Sequence, residues 1–496
     1  MYAFSPAITQ NWRQKLGFKV LSCLALVGAA DILFYHQQSG WTLGLFALGL
    51  LLAVVLHQPH LQKSSQGKLL TAASGGLALS FIEQPTLLAQ GLYVFTLYWL
   101  VLLPKLEGND ARRILRAVLR YSLFTSFLRI YRDSMVLAYA RKRMRKLRGS
   151  PYGWVLRWML PVICTLGFAA LFAQANPIIA QLLGKITLPE MNLGRILWWL
   201  LLVLGAWSLL HPKLKTRMAN KNGPWSKPSA SVDFSLIKLL FNEQSITLSL
   251  VLFNGLFLMQ NLMDVAFLWS GAGLPEGLTY AEYAHRGAYP LMVTALLAAF
   301  FILVAFKAEV MPSKQVRTLI YTWVGQNMFL VFSSMLRLKG YVDEYSLTYL
   351  RVSALIWMVL VVVGLSLIVA RICLQRSNQW LVNRNAIIAY AVLYVCCFVN
   401  FGGFIASYNL AKFENMKIER KWPDLWYIEN NIGVEAIPAL VHIEKFSQQE
   451  GSRQDACKLR QKIQAQLNTS DWHAWTLRNH RIAQLPTTAC DSGVTP

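Results

Sequence analysis

The sequence predicts an all-α, polytopic membrane protein, in which a bundle of about eleven transmembrane helices precedes a small helical tail outside the membrane. Hydrophobic residues make up 55% of the 496-residue chain and charged residues only 15%, compared with about 25% charged residues in an ordinary soluble domain. Between Phe18 and Asn409, long apolar runs alternate with short polar breaks. Every second break is rich in Lys and Arg, which is typical of loops that face the cytoplasm.

Most of the apolar runs reach the roughly 20 residues that a helix needs to cross the hydrocarbon core. The predicted spans are 17–36, 41–57, 68–84, 87–104, 153–175, 195–211, 245–271, 289–307, 317–338, 348–371 and 385–408. The third run is rich in Gly and Ser, so we expect it to be surrounded by protein rather than by lipid.

The positive charge also indicates how the chain is oriented. The 48 Lys and Arg residues outnumber the 24 Asp and Glu residues, but the cations lie mainly between the spans. The positive-inside rule explains this placement without a nucleic acid. With the N-terminus in the cytoplasm, every strongly basic loop lies inside. The odd number of spans then places the tail in the periplasm, if the membrane is a bacterial inner membrane.

This pattern divides the chain into six segments. They are spans 1–4 (1–104), a basic cytoplasmic segment (105–152), spans 5–6 (153–212), a cytoplasmic linker (213–240), spans 7–11 (241–409) and a periplasmic tail (410–496).

The basic segment predicts an amphipathic helix on the cytoplasmic surface. Residues 105–148 carry 13 basic and three acidic residues, and Arg113, Arg116 and Arg120 recur at helical spacing. Six cations follow within eight residues: Arg141, Lys142, Arg143, Arg145, Lys146 and Arg148. This cluster favours contact with anionic lipid headgroups. The alternative is that it only anchors the topology ahead of the next span.

The tail combines polar residues with several tryptophans, among them Trp472 and Trp475. We expect a small cap that rests on the outer mouth of the bundle and offers a surface to a protein partner. Cys457 and Cys490 can form a disulfide there if the compartment is oxidising. The spacing of the cysteines and histidines does not match a metal site, and we predict neither a metal nor a cofactor.

Sequence motifs for nucleotide binding, zinc hydrolysis and serine hydrolysis are absent, so no catalytic residue is assigned. Polar residues inside two C-terminal runs are better candidates. In the seventh run, spacings of seven and three place three residues on one helical face: Asn254, Asn261 and Asp264. In the ninth run, spacings of seven and four do the same for Gln326, Ser333 and Arg337.

A third group of polar residues lies between the seventh and eighth runs. Thr279 and Glu282 form a capping-box pattern, and His285 and Arg286 lie on the same side of that short helix. We therefore hypothesise a periplasm-facing site in which an acid, Asp264 or Glu282, pairs with a nearby arginine: Arg286, Arg337 or Arg351. The alternative is an interfacial helix whose charges simply meet headgroups and water.

Three segments carry a resemblance to a known family. Residues 277–287 read GLTYAEYAHRG, residues 399–409 read VNFGGFIASYN, and residues 471–477 read DWHAWTL. They resemble a bacterial family of polytopic membrane proteins catalogued as domains of unknown function 4153 and 4173, although His285 stands where that family's pattern has Arg. The resemblance extends from about residue 240 to the end of the chain. It implies a bacterial membrane protein without an assigned activity.

Three hypotheses for the function stay open at this point. The first is an envelope protein that binds, senses or scaffolds, with its tail as the outer partner surface. The second is a transporter or flippase that uses the polar faces of the C-terminal spans. The third is a membrane-embedded enzyme that acts on a lipid or an envelope precursor, with Glu282 or Asp264 as the base.

Overall fold

The computed structural model describes residues 6–106, 110–122, 193–210, 243–270, 297, 313–415, 425–447, 450–465, 467 and 471–485. All regular secondary structure within these residues is helical, as predicted. The predicted span at 153–175 and all but one residue of the span at 289–307 lie outside the described residues.

The helices fall into an N-terminal set, a C-terminal set and a tail. The N-terminal set comprises α1 (Pro6–Phe34), α2 (Thr42–His57), α3 (Ser65–Glu83), α4 (Leu87–Leu102), α5 (Ala111–Arg120) and α6 (Leu193–Leu210). The C-terminal set comprises α7 (Glu243–Asp264), α8 (Lys314–Tyr345), α9 (Tyr349–Cys373), α10 (Asn378–Cys396) and α11 (Phe401–Asn415). In the tail, short helical turns between Leu425 and Ala436 precede α12 (Ile437–Phe446), α13 (Glu450–Gln464) and α14 (Leu477–Ala483).

Five of these helices are long and apolar enough to cross a membrane, judged by length and composition: α1, α6, α7 with the turn that follows it, α8 and α9. A sixth span results if α10 and α11 are counted together, and α2 and α4 are apolar but shorter. The described residues thus establish a helical protein with five or six candidate spans, and the predicted count of eleven is not confirmed. Helix α3 is not among the candidates, in keeping with its Gly and Ser content.

The eleventh predicted span, 385–408, is wrong as a single straight helix. Helices α10 and α11 meet at an angle of 70°. At the bend, the side-chain Oδ1 of Asn400 accepts a hydrogen bond of 3.0 Å from the backbone N–H of Gly403. This bond caps the first turn of α11, so a new helix begins where the apolar pattern alone predicts that the first one continues.

Several exposed cations lie at the same end of the helical bundle. At one end lie Lys63, Lys68, the arginines of α5, Lys314 and Arg376; we call it the basic end. Contacts between distant segments hold this end together, such as the 2.8 Å hydrogen bond from the backbone N–H of Ala111 to Asn383 Oδ1. The opposite end contains the α1–α2 turn, the α8–α9 turn and the tail. We call it the tail end.

Helix α5 has the two faces that the sequence predicts. Ile114, Val118 and Tyr121 are buried, whereas the arginines of the helix are exposed. Its apolar face packs on the bundle, because the Tyr121 hydroxyl donates a 3.1 Å hydrogen bond to the carbonyl oxygen of Ser208 in α6. The arginines therefore point away from the helices that α5 contacts.

The tail docks on the α1–α2 turn. The backbone N–H of Trp41 donates a 2.8 Å hydrogen bond to the carbonyl oxygen of Trp475, and its indole N–H donates one of 2.9 Å to the carbonyl oxygen of Trp472. The tail backbone lies so close to Gly40 that a Cβ atom there would be 2.5 Å from the carbonyl oxygen of His473. Glycine at position 40 is therefore a requirement of this docking.

We predict that Gly40→Ala weakens the docking of the tail by about 1–3 kcal/mol, because an added methyl group collides with backbone atoms that cannot rotate away. Limited proteolysis of the purified protein should cut the tail faster, and thermal unfolding should begin at a lower temperature. The matched control is Gly91→Ala, where a Cβ meets no atom within 4 Å. Equal protease resistance of the two variants would contradict the close approach at Gly40.

Candidate functional site

The structure brings Asp264 and Arg337 together in an ion pair inside the helical bundle. The guanidinium Nη2 of Arg337 donates to Asp264 Oδ1. Asp264 is 2% exposed and Arg337 is 4% exposed, so the pair is shielded from solvent. Gln260, one turn earlier on α7, donates a 3.1 Å hydrogen bond from Nε2 to the same oxygen of Asp264. Asp264 Oδ1 thus accepts from one side chain of its own helix and from one of α8.

The backbone changes its winding directly after Asp264. Helix α7 ends there and a π-helical turn follows over Val265–Trp269. This turn presents Trp269 to α8, where its indole N–H donates a 3.1 Å hydrogen bond to Ser333 Oγ and its ring stacks on Phe329. Wider turns of this kind recur at functional sites because they re-aim the side chains beside them.

Helices α7 and α8 run side by side in the same direction along a seam of polar residues. Asn254 Nδ2 donates a 3.0 Å hydrogen bond to the carbonyl oxygen of Leu319, and Asn261 Nδ2 donates one of 3.4 Å to that of Gln326. Both pairs are 65 residues apart, so the register is constant. The predicted polar faces of these two helices therefore face one another.

The other predicted site residues do not join this pair. Arg351 lies at the start of α9, where its guanidinium binds the carbonyl oxygens of Tyr345 and Ser346 and lies 3.9 Å from the ring centre of Tyr341. It thus caps the C-terminal end of α8. Glu282, His285 and Arg286 lie outside the described residues, and so does the basic cluster 141–148. Whether the Asp264–Arg337 pair serves as a binding site stays a prediction.

A second polar network at the tail end was not predicted. Arg478 of α14 donates a 2.6 Å hydrogen bond from Nη1 to Glu435 Oε1 and one of 3.2 Å to Asn400 Oδ1 at the bend. Its Nε also lies 3.5 Å from Glu83 Oε1, at the end of α3. One tail arginine therefore joins the N-terminal set, the C-terminal set and the turns before α12.

The carboxylate of Glu435 is fixed from its other side by Tyr349. The Tyr349 hydroxyl donates a 3.2 Å hydrogen bond to Glu435 Oε2, and the same carboxylate lies against the bare Cα of Gly402. The backbone N–H of Tyr349 in turn donates a 2.9 Å bond to the Tyr427 hydroxyl. We call Glu83, Tyr349, Asn400, Glu435 and Arg478 the latch. Because the residues of the latch are far apart in the chain, no local sequence pattern predicts the latch.

A half-buried acid lies in the tail segment that docks on Trp41. Asp471 Oδ1 accepts hydrogen bonds of 2.9 Å from the backbone N–H and from the ring Nδ1 of His473. These bonds lower the pKa of Asp471 below its usual value, the backbone bond contributing most. The carboxylate thus stays ionised at neutral pH, and it holds the turn that leads to Trp475.

The described residues contain no group of three or more His, Cys, Asp or Glu side chains able to hold a metal ion. The Asp264–Arg337 pair and the latch instead contain hydrogen-bonding groups and paired charges. A carboxylate paired with a guanidinium inside the bundle can exchange a proton or release its arginine to a bound anion. The latch can hold or release the tail.

Apolar helices of this length that carry paired charges inside the bundle define a helical membrane protein. The chain belongs to the family described as "Domain of unknown function (DUF4153)", whose sequence model matches residues 4–443. The family inferred from the three segments is thereby confirmed, but the match begins at residue 4 rather than near residue 240 and ends before the segment 471–477. No curated protein and no solved structure matches the chain.

We predict that Asp264→Leu and Arg337→Met each destabilise the protein by about 3–5 kcal/mol, because each leaves one buried charge without its partner. The double variant should recover more than half of the summed loss, since apolar side chains then fill the same space. The measurement is the thermal unfolding of the wild type, the two single variants and the double variant in the same detergent. If the losses of the single variants simply add in the double variant, the two residues are not coupled.

Proposed function

We propose that this chain is a multi-pass protein of the bacterial inner membrane, with its N-terminus in the cytoplasm and its tail in the periplasm. The tail binds or senses a component of the cell envelope, and the bundle serves as its scaffold. The observation that carries this proposal is the latched tail, which joins both helix sets at the end opposite the basic loops.

The charge distribution supports the orientation. Cytoplasmic loops carry an excess of Lys and Arg, and the exposed cations at Lys68, Arg116 and Arg376 all lie at the basic end. The exposed arginines of α5 point away from the bundle, and we propose that they meet anionic headgroups of the inner leaflet together with the cluster 141–148. Each such cation contributes about 1 kcal/mol of attraction near the surface.

The helix directions support an odd number of crossings. Helix α5 lies at the basic end, whereas α6 begins at the tail end, where Arg195 forms an ion pair of 2.5 Å with Asp31 of α1. Likewise α7 ends at the tail end and α8 begins at the basic end. The predicted spans at 153–175 and 289–307 supply the two crossings that this arrangement needs.

A disulfide supports a periplasmic tail. Cys457 of α13 is disulfide-bonded, and disulfides persist in oxidising compartments such as the bacterial periplasm rather than in the cytoplasm. We propose that its partner is Cys490, the other cysteine of the tail.

The tail also offers a surface for a partner. Trp426 and Phe446 are exposed there, at 69% and 65% of their area. Exposed aromatic residues are costly in water and are enriched where proteins bind one another. A protein of the envelope that contacts these two side chains fits the proposed role.

Labelling with a membrane-impermeant maleimide tests the orientation. The two labelled positions are Lys445→Cys in α12 and Arg376→Cys in the α9–α10 turn, both of which are exposed. Both are introduced into a Cys373→Ser background, because the thiol of Cys373 is exposed among the described cysteines. In cells with a permeable outer membrane, we expect the first position to react at once and the second only after the inner membrane is opened. The reverse order would refute the topology.

Complementation of a deletion strain separates binding from transport or catalysis. We expect Trp426→Ala combined with Phe446→Ala to insert and fold normally but to fail to restore the envelope phenotype, whereas Lys445→Ala, a neighbouring exposed change, restores it. A transporter or an enzyme that uses the buried acid predicts the opposite pattern. The aromatic variant would then complement, and an Asp264→Asn variant shown to insert and fold would fail.

A further inference from the structure

The polar seam between α7 and α8 contains buried oxygen atoms that accept no hydrogen bond within the described part of the chain. They are Asn254 Oδ1, Asn261 Oδ1, Asp264 Oδ2 and Gln326 Oε1. An unsatisfied acceptor in a buried position is destabilising, and inside a bilayer no lipid tail can supply the missing donor.

The orientation of the first amide is fixed by its other contacts. Asn254 Nδ2 donates to two backbone carbonyl oxygens, at 2.7 Å to Leu250 and at 3.0 Å to Leu319. A flipped amide would place its oxygen against both carbonyls, so the assigned orientation is the one that the hydrogen bonds require. Asn254 therefore directs its oxygen into the seam as an acceptor.

The oxygens are spread along the seam rather than gathered around one point. From Asn254 to Asp264 is ten residues, or about 15 Å along a helix, which is half of a hydrocarbon core about 30 Å thick. Asn254 lies beside Leu319, only five residues into α8, so the row begins near the basic end. It ends at the Asp264–Arg337 ion pair.

We propose that this seam holds a file of water molecules that leads from the basic end to Asp264. Buried water typically makes about three hydrogen bonds to otherwise unsatisfied polar groups, and it supplies the donors that these oxygens lack. A bound metal cation fits less well, because the guanidinium of Arg337 already neutralises Asp264 and repels a second positive charge. The file connects the buried carboxylate to the basic end. This inference does not depend on the proposed role of the tail.

Cysteine reactivity tests the water file. Asn254→Cys, Asn261→Cys and Gln326→Cys place a thiol in the seam, whereas Leu252→Cys and Leu256→Cys place one on the outer face of α7, where these leucines are 63% and 61% exposed. A small water-soluble methanethiosulfonate is applied to the protein in lipid nanodiscs, and each site is read by peptide mass spectrometry. We expect the seam sites to react at least about tenfold faster, since only a hydrated thiol ionises to the reactive thiolate.

Seam cysteines that react no faster than the outer-face cysteines would overturn the proposal. A seam reactivity that falls when sodium replaces choline would also overturn it, in favour of a bound cation.

Wild-type protein provides a measurement that does not depend on the variants. In hydroxyl-radical footprinting, Trp323, 3% exposed beside the seam, should be oxidised well above Tyr93, which is 4% exposed in the N-terminal set. Equal protection of both rings would show that the seam is dry.

Discussion

Every polar group inside this bundle must find a partner in the protein or in water that the protein encloses, because hydrocarbon offers none. The distribution of side chains follows that constraint. Large apolar residues such as Leu87 and Leu350 are among the most exposed of the chain, whereas Asp264, Arg337 and Asn327 are among the most buried. The buried charges and the exposed apolar side chains both follow from the inability of hydrocarbon to form hydrogen bonds. Helix pairs are consequently held by a few specific polar contacts rather than by an apolar core alone.

The same constraint explains the two kinds of polar network. Inside the bundle, Asp264 and Arg337 neutralise each other, so that the seam carries no net charge. At the tail end the Arg478–Glu435 pair is also largely buried, whereas the side chain of Glu83, 3.5 Å from Arg478 Nε, is 34% exposed. A buried pair is hard to open, whereas a pair near water opens at lower cost. Within the latch, the contact between Arg478 and Glu83 is therefore the one that opens most readily.

Hydropathy and charge predicted those features of the fold that depend on neighbouring residues. The helices, the polar faces of α7 and α8 and the two faces of α5 all follow from periodicity within 10 to 30 residues. The 70° bend at Asn400 was missed because the residues around it are apolar enough to continue a span. What ends the helix is a side-chain cap combined with the approach of Glu435 to Gly402. The latch was missed because Glu83 and Arg478 are close only after the whole chain has folded.

The hydrogen bond between Trp41 and Trp472 joins residues 431 positions apart, and this separation has a consequence for the order of folding. A ribosome adds about 5–20 residues per second, so the α1–α2 turn is made roughly 20 to 90 seconds before its partner in the tail. Until then Gly40 and Glu83 lack their tail contacts. A late segment of the chain thus closes over an early turn, and a chain truncated before residue 471 leaves this turn exposed to quality-control proteases.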